Sequence, residues 1–144
     1  MLSNKGKYGL KAMLHLAGLR ENEIASAAQI AQMHEIPKKF LDQIFAELRC
    51  SGLIYSKKGK AGGFALAKSA SAIKAGDVIR VLDGPIAPFP CASMKFYRRC
   101  DDCDGEDTCA VHRLMVDARE ALCKVLDKRS LAEMLKQQGL KEVA

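Results

Sequence analysis

Apolar residues recur at helical spacing through the first third of the chain. Leu10, Met13, Leu14 and Ala17 fall on one face and predict a first helix over roughly residues 3–19. Ser26-Ala27-Ala28-Gln29 has the form of a capping box. It opens a short helix with Ala27, Ile30 and Ala31 inward. After the turn His34-Glu35-Ile36-Pro37, the residues Phe40, Leu41, Ile44, Phe45 and Leu48 mark the buried face of a helix over about 37–50. Its polar face carries Lys38, Lys39, Asp42, Gln43 and Arg49, and Gly52 ends it. Two short helices joined by a tight turn form the helix-turn-helix pattern, though any helical domain also packs such pairs.

The spacing then changes. Leu53–Ser56 and Phe64–Ala67 read as two short strands. Between them, Lys57-Lys58-Gly59-Lys60-Ala61-Gly62-Gly63 is a glycine-rich hairpin tip with three lysines, which fits a DNA-binding wing. A nucleotide-enzyme phosphate loop fits poorly, because the Walker spacing is missing. Asp77–Leu82 predicts a short helix. Asp83-Gly84-Pro85-Ile86-Ala87-Pro88-Phe89-Pro90 breaks regular structure and reads as a hinge. A long helix is expected from about Thr108 to Lys128, with Val111, Met115, Ala118, Leu122 and Val125 as a heptad-like seam suited to pairing with a second copy. Ser130-Leu131-Ala132-Glu133 is a second capping box, opening a last helix expected to end near Gly139.

This pattern gives a mainly α fold with a small β-hairpin wing. Residues 1–83 form a winged helix-turn-helix DNA-binding domain in this reading. Residues 84–110 form the hinge and a cysteine-rich metal-binding loop, and 111–144 the dimerisation helix and C-terminal helix. The chain has 144 residues, too few for a large multidomain enzyme. Its net charge of +6 is unevenly spread: residues 1–80 carry +7 and residues 81–144 carry −1. A basic domain joined to a neutral one points to a polyanion partner. No apolar run is long enough for a membrane span and no signal peptide is evident, so a cytoplasmic protein is expected.

Four of six cysteines, Cys91, Cys100, Cys103 and Cys109, lie in one 19-residue stretch, followed by His112. Thiolates at such density suit an iron–sulfur cluster or structural zinc, and Cys100-x-x-Cys103 allows a thiol–disulfide switch. Asp101, Asp102, Asp104, Glu106 and Asp107 surround them, a repulsion that a cationic centre would relieve. Cys50 and Cys123 read as small buried hydrophobes, and His15 and His34 as ordinary helix residues. No catalytic constellation is present, so an enzyme is not expected.

Nearly the whole chain resembles the Rrf-two-type winged-helix regulators, which include IscR, NsrR and RirA. The resemblance runs through Ser3–Met13, Ile30-Ala31, Ile36–Ile44, Leu48-Arg49, Gly52–Ile54, the Gly59–Gly63 wing and Gly76–Arg80. It implies a homodimer on double-stranded DNA with a pseudo-palindromic operator. It also implies a 2Fe–2S or 4Fe–4S cluster sensing iron, redox state or nitric oxide. Cys103, Cys109 and His112 resemble the last two cysteines and the histidine of the family's cluster site. Cys91 resembles the first cysteine by its place after the hinge, with Cys100 an additional thiol and alternative ligand. The resemblance shifts the balance from zinc toward iron–sulfur, leaving a zinc-stabilised or thiol-switch repressor as the alternative and an electron-transfer protein further behind. In such a regulator the helix at 37–50 enters the major groove. Lys38 and Lys39 then lie near phosphate or guanine edges, and Asp42 and Gln43 are candidates for base reading. Lys57, Lys58 and Lys60, with Gly62 and Gly63, make the gripping wing.

Overall fold

The computed structural model describes residues 2–143 and contains six α-helices and one hairpin: α1 (Asn4–Ala17), α2 (Ala27–Met33), α3 (Lys38–Cys50), β1 (Ile54–Lys57), β2 (Gly63–Leu66), α4 (Ala75–Asp83), α5 (Ala110–Leu126) and α6 (Leu131–Val143). Short 3-10 turns at Pro90–Ala92 and Glu106–Thr108 interrupt the cysteine loop.

Local chemistry accounts for the helix starts. Ser3 accepts from the Gly6 amide at the head of α1. Ser26 and Gln29 form the full reciprocal capping box of α2. At α4 the Asp77 carboxylate takes the Lys74 amide at 2.9 Å, so the helix begins at Ala75, before the expected Asp77. The turn from α2 into α3 is closed by the Ile36 amide on the Ala31 carbonyl at 2.9 Å. Glu35 adopts φ 52° there, a left-handed conformation that its side chain does nothing to favour.

The hairpin is antiparallel, pairing Ile54 with Leu66 and Lys57 with Gly63. Each strand is displaced by one residue from the expected segment. Ala25 extends the sheet: it exchanges backbone bonds with Phe64 at 3.1 and 2.8 Å. No apolar run marks that third segment in the sequence.

The core lies among α1, α2, α3, α4 and β1. Met13, Ile30, Leu41, Ile44, Phe45, Leu48, Ile54 and Val78 are fully buried in it. Phe45 lies 4.6 Å from Phe64, ring centre to ring centre, which seats the hairpin on α3. Glycine lets α1 and α4 approach closely: a Cβ on Gly9 would sit 2.0 Å from a Leu82 methyl.

The start of α6 belongs to this core as well. Leu131 is fully buried, and its amide donates to the Ile73 carbonyl at 3.0 Å. The Ala75 amide donates to Arg129, and Ser130 and Glu133 complete the second capping box. The helix runs through Gly139 to Val143 and does not stop at the expected cap. An interior glycine weakens a helix by roughly 1 kcal/mol and does not by itself end one.

Two expectations about isolated side chains fail. Cys50 is exposed, because it lies on the outer face of α3 and not on the Leu41–Leu48 face. Cys123 is half-buried and accepts from the Arg80 guanidinium at 3.6 Å. His15 and His34 face each other, Nδ1 to Nε2 at 3.1 Å, and join α1 to the end of α2. Burial, then His15 and Lys11, hold the His34 pKa below its ordinary value.

Candidate DNA-binding face and cysteine loop

Helix α3 turns its apolar face inward and leaves Lys38, Lys39, Asp42, Gln43, Ala46 and Arg49 exposed. Lys38 grips both oxygens of Asp42, at 2.9 and 2.8 Å, one turn apart. The pair partly neutralises the one carboxylate among these residues. Gln43 is a free exposed amide, and Arg49 extends the same strip with a second cation near the helix end. Arg49 was visible in the sequence as part of the polar face, but nothing there distinguished it from a solvated charge.

The wing carries Lys57, Lys58 and Lys60 exposed at its tip. Its glycines have structural work to do. Gly59 adopts φ 121°, and its carbonyl takes the Gly62 amide at 3.0 Å. A Cβ on Gly62 would meet the Lys57 carbonyl oxygen at 2.5 Å, and one on Gly63 the Ala25 carbonyl oxygen at 2.6 Å. Both positions therefore need glycine for backbone packing, whether or not a polyanion is bound.

The cysteine loop begins in the 3-10 turn Pro90–Ala92, where Cys91, Ala92 and Ser93 are all buried. The loop closes on itself through the Arg98 amide on the Pro90 carbonyl at 3.3 Å. This return carries exposed Cys100 back toward the turn that holds Cys91. Cys91 foremost, then desolvation and the nearby Asp102 and Cys103, push the Cys100 thiol pKa up. Cys103 follows in a turn closed by its own amide on the Cys100 carbonyl at 3.2 Å. Tyr97 binds Glu106 across the loop, which raises its hydroxyl pKa to about 12.

Helix α5 begins at Ala110, two residues later than expected, because Glu106–Thr108 forms a 3-10 turn first. Cys109 is its N-cap: the sulfur accepts from the His112 amide at 3.3 Å. The His112 Nδ1 is buried and has no hydrogen-bond partner. A buried imidazole nitrogen without a partner is costly unless something else binds it.

The donors fit a thiolate-bound metal centre: four cysteine sulfurs and one unsatisfied imidazole nitrogen lie in a single loop and the helix it enters. They are not gathered, however. Among the described residues no three His, Cys, Asp or Glu side chains sit close enough together to hold one metal ion. Cys109 and His112 are joined by the bond from the His112 amide to the sulfur.

Two contacts tie this loop to α5 and the end of α5 to α4. Arg119 on α5 donates to the Ala92 carbonyl at 2.5 Å. Just past the end of α5, its cap residue Asp127 takes both guanidinium nitrogens of Arg80 on α4, at 2.6 and 2.9 Å, and the pair lowers the Asp127 pKa and raises that of Arg80. Gly76 makes room for the carboxylate, since a Cβ there would lie 2.2 Å from it.

None of the 17 residues of α5 is buried. Val111, Leu114, Leu122 and Val125 are exposed along one stripe, with half-buried Ala118 between them. Met115, expected in the seam, is half-buried like Ala118, and Leu114 beside it is exposed. Among the described residues no helix is long and apolar enough to cross a membrane.

Comparison with known proteins gives a consistent result. The profile of a family described as Rrf2, iron-dependent transcriptional regulator, matches residues 2–137. An rrf2-like HTH-type transcriptional regulator of Rhodobacter capsulatus is 35% identical over 138 residues, 94% of this chain and 92% of that protein. The HTH-type transcriptional regulator IscR of Yersinia enterocolitica is 34% identical over 143 residues, 99% of this chain and 84% of the other. Among solved structures, the global cysteine regulator CymR of B. subtilis is 34% identical with a TM-score of 0.78, over 95% of this chain and 97% of that one.

Proposed function

The chain belongs to the Rrf2 family of transcriptional regulators, and on that premise we propose that it binds operator DNA as a homodimer whose affinity an iron–sulfur cluster controls. Cys91, Cys103, Cys109 and His112 hold the cluster in this reading. The observation that carries it is the buried, unpartnered His112 Nδ1 beside Cys109. Such a centre supplies iron chemistry responsive to iron supply, redox state or nitric oxide. The exposed stripe Val111, Leu114, Leu122 and Val125 on a helix with no buried residue supports pairing through α5.

The protein's own side chains provide the transmission. A centre held by Cys91 would fix the position of Ala92, which Arg119 grips from α5. The far end of α5 is fixed in turn by Asp127 to Arg80 on α4. Helix α4 packs against α1 and α3, so the tilt of the reading helix follows. Operator half-sites lie about 34–36 Å apart, which tolerates little misplacement of two reading helices. A coupling of only about 1–3 kcal/mol changes affinity roughly 5- to 150-fold. At the DNA, Gln43 and Arg49 meet base edges or phosphates, Lys39 sits at the groove, and Lys57, Lys58 and Lys60 grip flanking backbone.

The test is anaerobic purification with visible absorption and iron, sulfide and zinc analysis, followed by fluorescence anisotropy with operator DNA before and after cluster removal. Matched iron and sulfide with a change in DNA affinity support the reading. One zinc per chain and no iron overturn it in favour of a zinc-stabilised repressor.

A further inference from the structure

A cavity of about 800 Å³ opens between the end of α4, the hinge, residues 93–96 of the cysteine loop and the last turns of α5. That volume falls in the range of roughly 300–1,000 Å³ typical of small-molecule sites. One wall is apolar: Pro85, Ile86, Met94 and Phe96 line it, and Met94 and Phe96 are largely exposed. Phe96 is held there by its amide, which donates to the hydroxyl of buried Ser93 at 3.1 Å. The other wall is cationic. Its two carboxylates are already matched, Asp127 by Arg80 and Glu120 by Arg119. Lys95, Lys124 and Lys128 line the same cavity, and among the described residues no carboxylate pairs with them. At about 100° per residue, Cys123 in the cavity wall lies on the opposite side of α5 from Leu114 in the exposed stripe. A second copy paired along that stripe does not by that contact cover the cavity.

We propose that this cavity binds a small amphipathic organic anion, its apolar body against Ile86 and Phe96 and its acidic head group among Lys95, Lys124 and Lys128. Neither wall suffices alone. Exposed lysines hold a small hydrophilic anion weakly in the presence of salt. A neutral apolar molecule covers Phe96 but leaves the lysines unmatched. A ligand with both parts removes apolar surface from water and pairs charge in the same step. A carboxylate on an acyl or aromatic body is the chemistry that meets both walls. Bound there, it touches the cysteine loop, the hinge and the helix end that Asp127 fixes to α4. Its occupancy therefore acts at the joint between the loop and the winged domain. The site uses none of the proposed metal ligands, so this small-molecule input is independent of the cluster.

The full-length protein is titrated with anilinonaphthalene sulfonate, an amphipathic anion, and separately with its uncharged parent N-phenylnaphthylamine, following the fluorescence of each. Amide exchange of the protein with and without the anion locates the contact. The expected result is saturable binding of one anion per chain, tighter than that of the parent, with slower exchange at residues 93–96 and no change in the wing. Lys124 and Lys128 are both exposed, so their reversal leaves the core alone. Lys124→Glu together with Lys128→Glu is expected to weaken the anion by at least about tenfold and leave the parent unchanged. Phe96→Ser is expected to weaken both probes. Equal affinity of the charge-reversed protein for the anion overturns the proposal, and so does an equal loss for the uncharged parent. Absence of saturable binding, or protection found only outside the cavity, overturns it as well.

Discussion

Arg119 on α5 donates to the carbonyl oxygen of Ala92, the residue after Cys91, so the first cysteine of the loop hangs from the proposed dimer helix. The Arg119 side chain is only 14% exposed. A charged hydrogen bond in such a place is worth about 1.5–3 kcal/mol.

Arg119→Ala is therefore expected to leave the fold intact and loosen the turn. Amide exchange at Ala92, Ser93 and Arg98 should accelerate by roughly 10- to 100-fold, from the 1.5–3 kcal/mol of one charged bond. Arg119→Lys should restore part of the protection. Unchanged exchange would show that the Arg119 bond does not hold the turn.

The wing and the reading helix should separate in binding experiments. Replacing Lys57, Lys58 and Lys60 with alanine should weaken binding to all sequences alike. It should also flatten the salt dependence of log K by roughly 0.9 for each phosphate that is no longer neutralised. Gln43→Ala should leave the salt slope nearly unchanged and cost about 1–3 kcal/mol of discrimination at one base pair. Anisotropy titrations at several salt concentrations, on operator and scrambled DNA, check both.

Gly63→Ala drives a methyl toward the Ala25 carbonyl oxygen. Overpacking of this kind costs about 1–3 kcal/mol, and a backbone neighbour cannot rotate away. A lower urea midpoint with an unchanged slope is expected, along with weaker DNA binding from a displaced wing. Full stability would mean that the Ala25–Phe64 bridge is dispensable.

Leu114→Glu together with Val125→Glu adds two charges to the exposed stripe of α5 without touching the core. Sedimentation should change from dimer to monomer while the helical circular dichroism is retained. A variant that stays dimeric would remove α5 as the interface.

The histidine pair gives a pH dependence. His34 unfolded takes up a proton near 6.5, and His34 folded does so only at lower pH. Between those values the unfolded chain binds more protons, so stability is fully present above about 6.5 and declines as pH falls through the folded value. Thermal melts from pH 8 to 5 should show the decline, and His34→Gln should flatten it. An identical profile in the variant would assign the effect elsewhere.

Much of this architecture was legible in the order of residue types. Strong local signals survive folding: Ser26 with Gln29, Ser130 with Glu133, and the Phe40–Leu48 stripe all act within a few residues of themselves. The lysine-rich tip was equally plain. What escaped depends on distance along the chain. Ala25 pairs with Phe64, His15 meets His34, and Arg80 meets Asp127, pairings that no local period encodes. Cys50 went astray for a related reason: composition favours burial, but its helical phase put it outside. In the cysteine loop the residue types announced metal or thiol chemistry. The return of the loop toward Cys91 depended on the bond from Arg98 back to Pro90.

The seating of Leu131 beneath Ile73 has a consequence for the order in which the molecule can be made. A ribosome delivers α1 through α4 first, but the cavity that Leu131 fills stays open until α5 has been synthesised and the chain has turned back. The core that α1 to α4 share is thus completed only after the helix proposed for pairing exists, and a chain that stops short of Leu131 lacks one of its fully buried side chains.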